Sequence, residues 1–212
     1  MKKNQIIIID SWLLKVKVVE VAATYVLVEA LNDHSIWSRR HVNLPGVKLK
    51  LPGITDKDES DILFAIEQGI DFIAASFIRN QNHVLEIKHL LKQHNAEHIQ
   101  IISKIENQEA LENLEWIVKE SDWVMVARGD LGVEIEISTL PYYQKEIMDM
   151  CFTYGKTIIV ATELLKSMVE SPFPTRAEVS DVYNSVILRT DCTMLSDETA
   201  VGKFPVQSCQ MM

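Results

Sequence analysis

The sequence predicts an α/β fold built on a parallel sheet and preceded by a small antiparallel β segment. From about Leu51 onward, short apolar runs alternate with helical patterns, and about five strand–helix units follow one another. This alternation implies right-handed crossovers with helices outside the sheet. Residues 1 to about 47 instead alternate apolar and polar side chains, which is typical of half-buried antiparallel strands. A closed barrel of this type needs eight units, so the sheet is either open or part of a barrel.

The antiparallel segment is punctuated by turn residues at Asn32-Asp33 and at Pro45-Gly46. About 47 residues form too few strands for a core that stands alone. We therefore expect this segment to belong to a larger structure, with a partial β domain at residues 1–47 and a partial (β/α) barrel domain at residues 48–212.

Apolar residues at helical or strand spacing define the later elements in order. The first helix carries Ile62 and Ile66 among charged residues, and the second carries Val84, Ile87 and Leu91. The predicted helices lie at residues 56–68, 80–94, 108–120, 141–154 and 176–188. The predicted strands lie at residues 71–75, 99–104, 123–128, 157–161 and 192–195.

Composition excludes several classes of protein. The chain has 212 residues, of which 47% are apolar, and this is enough for a sizeable core. The net charge of −9 argues against nucleic acid as the main partner. No apolar stretch is long enough for a membrane span or a signal peptide. The odd number of scattered cysteines, three in all, argues against a disulfide framework or a zinc site and favours a reducing cytoplasm.

Charged residues follow two neighbouring buried strands. Lys104 and Glu106 are two positions apart, so an extended backbone points both side chains the same way. Asp130 follows the next strand, in the segment Arg128-Gly129-Asp130. The carboxyl ends of parallel strands are where such proteins bind substrates. Two carboxylates beside a lysine indicate a site for a divalent cation and an anionic substrate.

These segments resemble the pyruvate kinase family from about Gln5 to the end of the chain. The resemblance rests on six segments: residues 75–79, 103–109, 126–134, 161–168, 174–182 and 194–200. In addition, residues 42–46 (Val-Asn-Leu-Pro-Gly) are similar to the place where the lid domain of that family rejoins its barrel. The resemblance implies a partial TIM (β/α)8 barrel with the second half of a lid domain before it.

The resemblance also implies roles for the charged residues. Lys104 matches the catalytic lysine, where a fixed cation stabilises the phosphoryl group in transfer and the developing enolate. Glu106 and Asp130 match the carboxylates that bind Mg²⁺ or Mn²⁺. Thr162 matches the threonine near the face where the enolate is protonated, and it is also expected to contact substrate. Arg40 stands where the family has a lysine that reaches the nucleotide phosphates.

Other substrate contacts are expected from the ends of two strands. The turn formed by Ala127, Arg128, Gly129 and Asp130 opens toward a helix, so its backbone N–H groups can receive the substrate carboxylate. Ser76 follows an earlier strand and is expected to line the same opening.

For the whole protein the resemblance implies phosphoryl transfer from phosphoenolpyruvate to ADP, which gives pyruvate and ATP in glycolysis. It implies a cytoplasmic homo-oligomer, a homotetramer in full-length form, that interacts with neither nucleic acid nor membrane. K⁺ is an expected cofactor whose ligands lie outside this chain. The family has three further barrel strands before the matching portion and a last domain after it.

Rival interpretations remain open at this point. The chain can be an inactive or incomplete pyruvate kinase that keeps only metal binding or subunit contacts. A related barrel such as an aldolase or lyase is a second alternative, and the lid segment argues against it. Taken alone, Lys-x-Glu is usually a surface pair, and Glu134 can simply sit near a helix start. The joint occurrence of the motifs favours the enzyme.

Several family glycines are replaced in this chain. The replacing residues are Trp12, His41, Trp123, Arg189 and Asp197. Glycine usually marks a positive φ or a close backbone approach, so each replacement is expected to cost on the order of 1 kcal/mol.

Overall fold

The computed structural model describes residues 1–212, which form two separate sheets and the helices around the second of them. The strands are β1 (Ile6–Ile9), β2 (Leu14–Val21), β3 (Val26–Ala30), β4 (Val42–Asn43), β5 (Phe72–Ala75), β6 (Gln100–Ile105), β7 (Trp123–Ala127), β8 (Thr157–Ala161) and β9 (Cys192–Met194). The helices are α1 (Asp56–Glu67), α2 (Gln81–Gln93), α3 (Gln108–Glu112), α4 (Leu114–Glu120), α5 (Arg128–Glu134), α6 (Leu140–Tyr154), α7 (Arg176–Ile187), α8 (Asp197–Ala200) and α9 (Pro205–Met211). Two single turns of 3-10 helix lie at Ile137–Thr139 and Lys166–Val169.

The first sheet is antiparallel, with strand order β3-β2-β1-β4. Its pairing sets Ile6 opposite Lys17, and a register shift between Val18 and Glu20 interrupts the pairing of β2 with β3. Because side chains alternate between the two faces of a strand, the paired Ile7 and Val16 share one face, and the buried Ile8 lies on the other. Ile7, Val16 and Val18 are the buried residues of its core.

The second sheet is parallel, with strand order β5-β6-β7-β8-β9. Each strand pairs with the next one in the sequence, as strands do in a (β/α) barrel. The helices cover one face, where α4 contacts both α2 and α6. The alternation of expected strands and helices is confirmed, and the sheet is the five-stranded part of a barrel with β5 and β9 as its edges.

The faces of the parallel sheet bury different residues. Val124 and Val126 of β7 point toward the helices and belong to a cluster of 28 buried residues. Met125 lies between them and points to the opposite face, where it packs with Ile159 and Ala161. This alternation along β7 follows from the two-residue period of a strand.

Local sequence signals set the helix starts. Thr55 and Asp58 form a reciprocal capping box at the start of α1, and Thr175 and Glu178 form another at the start of α7. In such a box each side chain satisfies a backbone N–H that has no partner within the helix. Gly155 ends α6 with a φ of 62°, which glycine adopts without steric cost.

The structure divides one predicted helix. Residues 108–120 form α3 and α4, which meet at Asn113 with φ −110° and ψ 14°. The Asn113 side chain donates hydrogen bonds to the carbonyl oxygens of Glu109 and Arg79, at 2.9 and 3.1 Å. A side chain that competes for backbone carbonyls in this way interrupts a helix, and helical periodicity does not reveal it. The short elements α8, α9 and the two 3-10 turns were also not predicted.

Two of the replaced glycines occupy positions that favour glycine. Trp12 has a φ of 81° and Arg189 a φ of 69°, whereas His41, Trp123 and Asp197 do not have a positive φ. The expectation of backbone strain is therefore confirmed for Trp12 and Arg189 only. No helix of the structure is both long enough and apolar enough to cross a bilayer.

Candidate active site

Four residues each follow the last residue of a parallel strand. Ser76 follows β5, Glu106 follows β6, Arg128 follows β7 and Thr162 follows β8. Because the strands are parallel and paired in order, these four positions lie side by side along one edge of the sheet. The residues singled out from sequence therefore collect at the carboxyl ends of the strands, with the exception of Arg40.

Lys104 is the cation of this edge. Its Nζ lies 2.6 Å from Glu106 Oε1 and donates a hydrogen bond of 2.9 Å to Ser76 Oγ. The Lys104 side chain keeps 22% of its surface exposed, whereas Glu106 is fully buried. The lysine ammonium therefore lies between a buried carboxylate and the solvent, where an incoming anion can reach it.

Glu106 is a buried carboxylate whose two oxygens have different partners. Its Oε2 accepts a hydrogen bond of 2.5 Å from the backbone N–H of Phe77. Its Oε1 is close enough to Lys104 for an ion pair, but the approach is not aligned for a hydrogen bond, and no other donor reaches it. A buried polar atom without a partner is costly unless a further ligand satisfies it.

Burial raises the pKa of Glu106 above its ordinary value, and the charge of Asp130 adds to this increase. Lys104 and the Phe77 N–H act in the opposite direction. The charge of Asp130 is therefore near enough to act on the Glu106 carboxylate. A bound divalent cation would give Glu106 Oε1 a further ligand contact and would relieve the repulsion between the two carboxylates, so these residues fit a metal of the Mg²⁺ type. No group of three or more His, Cys, Asp or Glu side chains is placed to hold a metal by itself.

Thr162 lies against the start of α5. Its Oγ1 accepts a hydrogen bond of 2.7 Å from the backbone N–H of Gly129. A Cβ at position 129 would lie 3.3 Å from the same oxygen, so glycine allows this close approach. The backbone N–H groups of the Ala127–Asp130 turn are expected from sequence to receive a substrate carboxylate, and in the structure the Gly129 N–H donates to Thr162.

Arg128, which is expected from sequence to contact substrate, points inward in the structure. It is 8% exposed, and its guanidinium donates to the carbonyl oxygen of Thr162 and to both carboxylate oxygens of Asp181. A sequence pattern does not distinguish these roles, because an arginine that follows a strand can turn outward or inward. Ala127 ends β7 and is 2% exposed, so its methyl group is buried.

Arg40 lies away from this cluster. Its Nη1 is 3.6 Å from Asp10 Oδ1 in the antiparallel sheet, and no contact joins it to Lys104 or Glu106. The Asp10 carboxylate also lies 3.5 Å from His34 Nε2. The structure therefore places Arg40 in a small polar group of the first sheet.

Asn43 and Glu134 were not predicted to interact. Asn43 Nδ2 donates a hydrogen bond of 2.8 Å to Glu134 Oε1 and so links β4 to the end of α5. Glu134 is the last residue of α5, so the interpretation that placed it near a helix start is wrong. Burial raises the pKa of Glu134, and the charge of Asp130 one turn earlier adds to this. The sequence signal for the proximity of Asp130 and Glu134 was their four-residue spacing, which places both on one face of a helix.

Comparisons with known proteins agree with this architecture. A sequence model described as the barrel domain of pyruvate kinase matches residues 1–209. The pyruvate kinase of Bacillus licheniformis is 49% identical over 208 residues, which are 97% of this chain and 36% of that protein. The pyruvate kinase of Geobacillus stearothermophilus is 50% identical over 208 residues, which are 97% of this chain and 35% of that protein.

A third relative, the pyruvate kinase of Clostridium perfringens, is 47% identical over 206 residues, which are 97% of this chain and 44% of that protein. The chain therefore spans 35% to 44% of the length of the three curated relatives named here. The fold and the arrangement of strand ends define the class as a (β/α) barrel domain with a polar site at the carboxyl ends of its strands. Within that class, the chain belongs to the pyruvate kinase family.

Proposed function

We propose that the chain is the part of a pyruvate kinase that carries the metal and phosphoryl-transfer site. In the proposed reaction, the bond between phosphorus and the enol oxygen of phosphoenolpyruvate breaks. A bond forms between that phosphorus and a terminal oxygen of ADP, which gives ATP. The enolate left behind takes a proton at carbon and becomes pyruvate. The observation that carries the proposal is the ion pair between the Lys104 ammonium and the buried Glu106 carboxylate, whose Oε1 accepts no hydrogen bond.

Glu106 and Asp130 are the residues that would hold Mg²⁺ or Mn²⁺. Such an ion would supply positive charge that stabilises the substrate oxygens. K⁺ is proposed as a second cofactor, with ligands that do not belong to this chain.

Lys104 is proposed to bind the transferring group and the enolate oxygen. Its ammonium is already fixed by Ser76 Oγ and Glu106 Oε1, so little reorganisation is needed when negative charge develops nearby. Thr162 is proposed to hold the water that gives its proton to the enolate. The Thr162 hydroxyl accepts from Gly129, so its own proton is free to donate to that water.

The remaining contacts of the reaction are also proposals. Ser76 and the segment Ala127–Asp130 are proposed to line the phosphoenolpyruvate site, with Arg128 acting through its neighbours. Arg40 is proposed to reach the phosphates of ADP after a movement of the first sheet, since its present partner is the partly exposed Asp10. The whole protein is proposed to be a cytoplasmic homotetramer in glycolysis, with a domain boundary near residue 47 of this chain.

Two measurements test the proposal on the 212-residue chain. The first is pyruvate formation from phosphoenolpyruvate and ADP in a coupled assay, in which Lys104→Met should lower the rate by roughly 100-fold or more. Lys145→Met is the matched control, because Lys145 is an exposed lysine paired with Asp149 on α6. A rate that survives Lys104→Met would contradict the assigned role of Lys104.

The second measurement is Mn²⁺ binding followed by electron paramagnetic resonance. Glu106→Gln should weaken binding, because an amide oxygen is a poorer ligand than a carboxylate for a hard cation. Glu115→Gln is a suitable control, since Glu115 is a surface residue paired with Lys119. Equal Mn²⁺ affinity in the Glu106→Gln variant and the unsubstituted chain would contradict the metal assignment.

A second candidate function is metal binding without turnover. It is favoured by the free edge of β5, beside which lies a cavity of about 840 Å³. This cavity is lined by Ser76 and Phe77 but not by Lys104 or Thr162, so the enclosing wall of the proposed site is incomplete on that side. Mn²⁺ binding that depends on Glu106, together with no pyruvate formation, would support this candidate.

A further inference from the structure

We infer that Arg128 is a positioning residue that holds the turn after β8 in a strained conformation, so that the Thr162 hydroxyl stays on the Gly129 N–H. Arg128 is thereby assigned to the support of the site and not to direct contact with substrate. The importance of this for catalysis rests on the proposed role of Thr162, whereas the positioning itself concerns only residues of this chain.

The contacts of Arg128 occupy its guanidinium on two sides. Nε lies 3.1 Å from the carbonyl oxygen of Thr162 and 3.3 Å from that of Ala161, and Nη2 donates to the Thr162 carbonyl at 2.6 Å. Nη1 lies 2.8 and 2.6 Å from the two carboxylate oxygens of Asp181 on α7. A substrate anion would have to displace these partners from a side chain that is 8% exposed.

The turn that Arg128 contacts is strained. Thr162 has a φ of 70° and Glu163 a φ of 54°, so two consecutive residues with side chains adopt the left-handed region. A β-branched residue such as Thr162 is rarely found there, and the conformation persists only where surrounding contacts impose it. Two nitrogens of Arg128 lie within 3.1 Å of the carbonyl oxygen of Thr162, so Arg128 acts on the strained peptide itself.

Two other carboxylates fix the far end of the same turn. Glu198 is 1% exposed and accepts a hydrogen bond of 3.1 Å from the Leu165 N–H. Glu178 accepts from the backbone N–H of Ser167 at 2.6 Å and from its hydroxyl at 2.5 Å. These contacts begin three residues after Thr162, which leaves Arg128 as the side chain that fixes the carbonyl of Thr162.

Lysine cannot reproduce this arrangement. A guanidinium is planar and can donate to a carbonyl on one side and to a carboxylate on the other, whereas an ammonium is a compact point charge. The variant Arg128→Lys therefore keeps the positive charge for Asp181 but loses the fork that reaches Thr162. Asp181→Asn is a milder variant, because it removes the charge that orients the guanidinium and leaves Arg128 present.

The Gly129 amide is a direct reporter of the inferred role. Gly129 is the second residue of α5, so its N–H has no acceptor within the helix, and Thr162 Oγ1 is the acceptor that the structure gives it. The chain contains seven glycines, so labelling with ¹⁵N-glycine gives a spectrum in which each amide can be followed. Gly155, at the end of α6, serves as an internal reference.

The experiment compares the chemical shift and hydrogen exchange of the Gly129 amide among variants of the full chain. Thr162→Val removes the acceptor and defines the signal of a broken hydrogen bond, and Thr162→Ser keeps the hydroxyl. Arg128→Lys should move the Gly129 amide toward the Thr162→Val signal and speed its exchange roughly tenfold, with Gly155 unchanged. Asp181→Asn should produce a smaller change in the same direction.

Arg79→Lys is the matched control. Arg79 also donates to backbone carbonyls, those of Leu49, Leu51 and Pro52, but in a different part of the chain. The variant Arg79→Lys should leave the chemical shift and exchange rate of the Gly129 amide unchanged even if it destabilises the fold.

The inference is overturned if Gly129 keeps its shift and exchange rate in Arg128→Lys, or if Arg79→Lys changes them equally. Should Arg128→Lys not fold, Asp181→Asn decides the question by the same criterion. These outcomes do not depend on pyruvate formation, so a failed assay of the unsubstituted chain would count against the proposed function and not against the role of Arg128.

Discussion

The two sheets of this molecule differ in how much core supports them. The parallel sheet and its helices share a cluster of 28 buried apolar residues, whereas the antiparallel sheet has a core of three. Large apolar side chains of the antiparallel sheet, such as Tyr25 and Leu27, remain about half exposed or more. The larger core can hold buried charges such as Glu106 and Arg128 in place, because the surrounding packing offsets the cost of their burial.

The smaller sheet contributes polar groups that remain near solvent. Arg40 and His34 both approach the Asp10 carboxylate, at 3.6 and 3.5 Å. Asp10, Ser11 and Trp12 form a run of three residues with positive φ. The fixed part of the candidate site therefore belongs to the parallel sheet, and the antiparallel sheet is the part more easily displaced.

The largest expected effect comes from a cavity in the main core. Ile105→Ala should lower the free energy of unfolding by about 2–5 kcal/mol, because Ile105 is fully buried in the large cluster. Urea unfolding followed by circular dichroism measures this change. Val18→Ala is the counterpart in the small sheet and should speed amide exchange there without a comparable loss of helix stability. Equal losses of helix stability in both variants would mean that the two sheets unfold as one unit.

The contact between the antiparallel sheet and α5 should have the next largest effect. Asn43→Ala removes a hydrogen bond to the Glu134 carboxylate, which is worth about 1.5–3 kcal/mol for a charged acceptor. We expect amides of β1 and β4 to exchange faster in this variant, with those of β7 unaffected. Glu134→Gln keeps an acceptor oxygen and should cause a smaller change. If Asn43→Ala leaves exchange in β1 and β4 unchanged, another contact holds the small sheet.

Glycine at position 189 or 12 should raise the free energy of unfolding modestly. Arg189→Gly removes the strain of a φ of 69° and should raise the free energy of unfolding by about 0.5–1 kcal/mol, less the lost contact of Arg189 with the Phe152 ring. Trp12→Gly should give a smaller gain in the small sheet, because Lys15 lies over the Trp12 ring. Asp197→Gly is the control, since Asp197 begins a helix with negative φ, and it should destabilise the chain.

The pH dependence of stability should show the smallest net effect. Carboxyl groups with a raised pKa and carboxyl groups with a lowered pKa change stability in opposite directions as pH rises. The pKa of Glu106 is raised by burial, so its contribution to stability is present below the ordinary value of 4.5 and is lost as pH rises through the folded-state pKa. Glu106→Gln should therefore gain stability relative to the unsubstituted chain as pH rises above 4.5.

The contribution of Asp58 to stability changes with pH in the opposite direction. Hydrogen bonds from the Thr55 side chain and backbone lower the pKa of Asp58, so its contribution is present above the ordinary value of 3.8 and is lost as pH falls. Asp58→Asn should lose stability relative to the unsubstituted chain as pH rises. Urea unfolding between pH 3 and pH 8 separates the two cases, and parallel pH profiles for the two variants would contradict both assignments.

Much of the fold could be predicted because its signals are local. The strand at residues 157–161 agrees with β8 at both ends, and Thr55 and Thr175 mark helix starts through capping boxes. The break at Asn113 could not be predicted, because it depends on a hydrogen bond to the carbonyl of Arg79, 34 residues earlier in the chain. Periodicity carries no information about such a distant partner.

The candidate site follows the same division. Lys104 and Glu106 could be paired from sequence, since extended residues two apart share a face, and the structure places their charged atoms 2.6 Å apart. The inward direction of Arg128 and the link from Asn43 to Glu134 could not be inferred. Both depend on partners that lie more than 30 positions away in the sequence.

Most of the strands and helices around the parallel sheet, and the charged residues at the strand ends, could be predicted from the sequence alone. These properties follow from side-chain periodicity and from interactions within a few residues. The tertiary structure was needed to learn which charges are buried, which donors already have partners, and which backbone positions are strained. Those properties depend on what packs against each residue, and the exclusion of water from Glu106 and Arg128 arises only when distant segments meet.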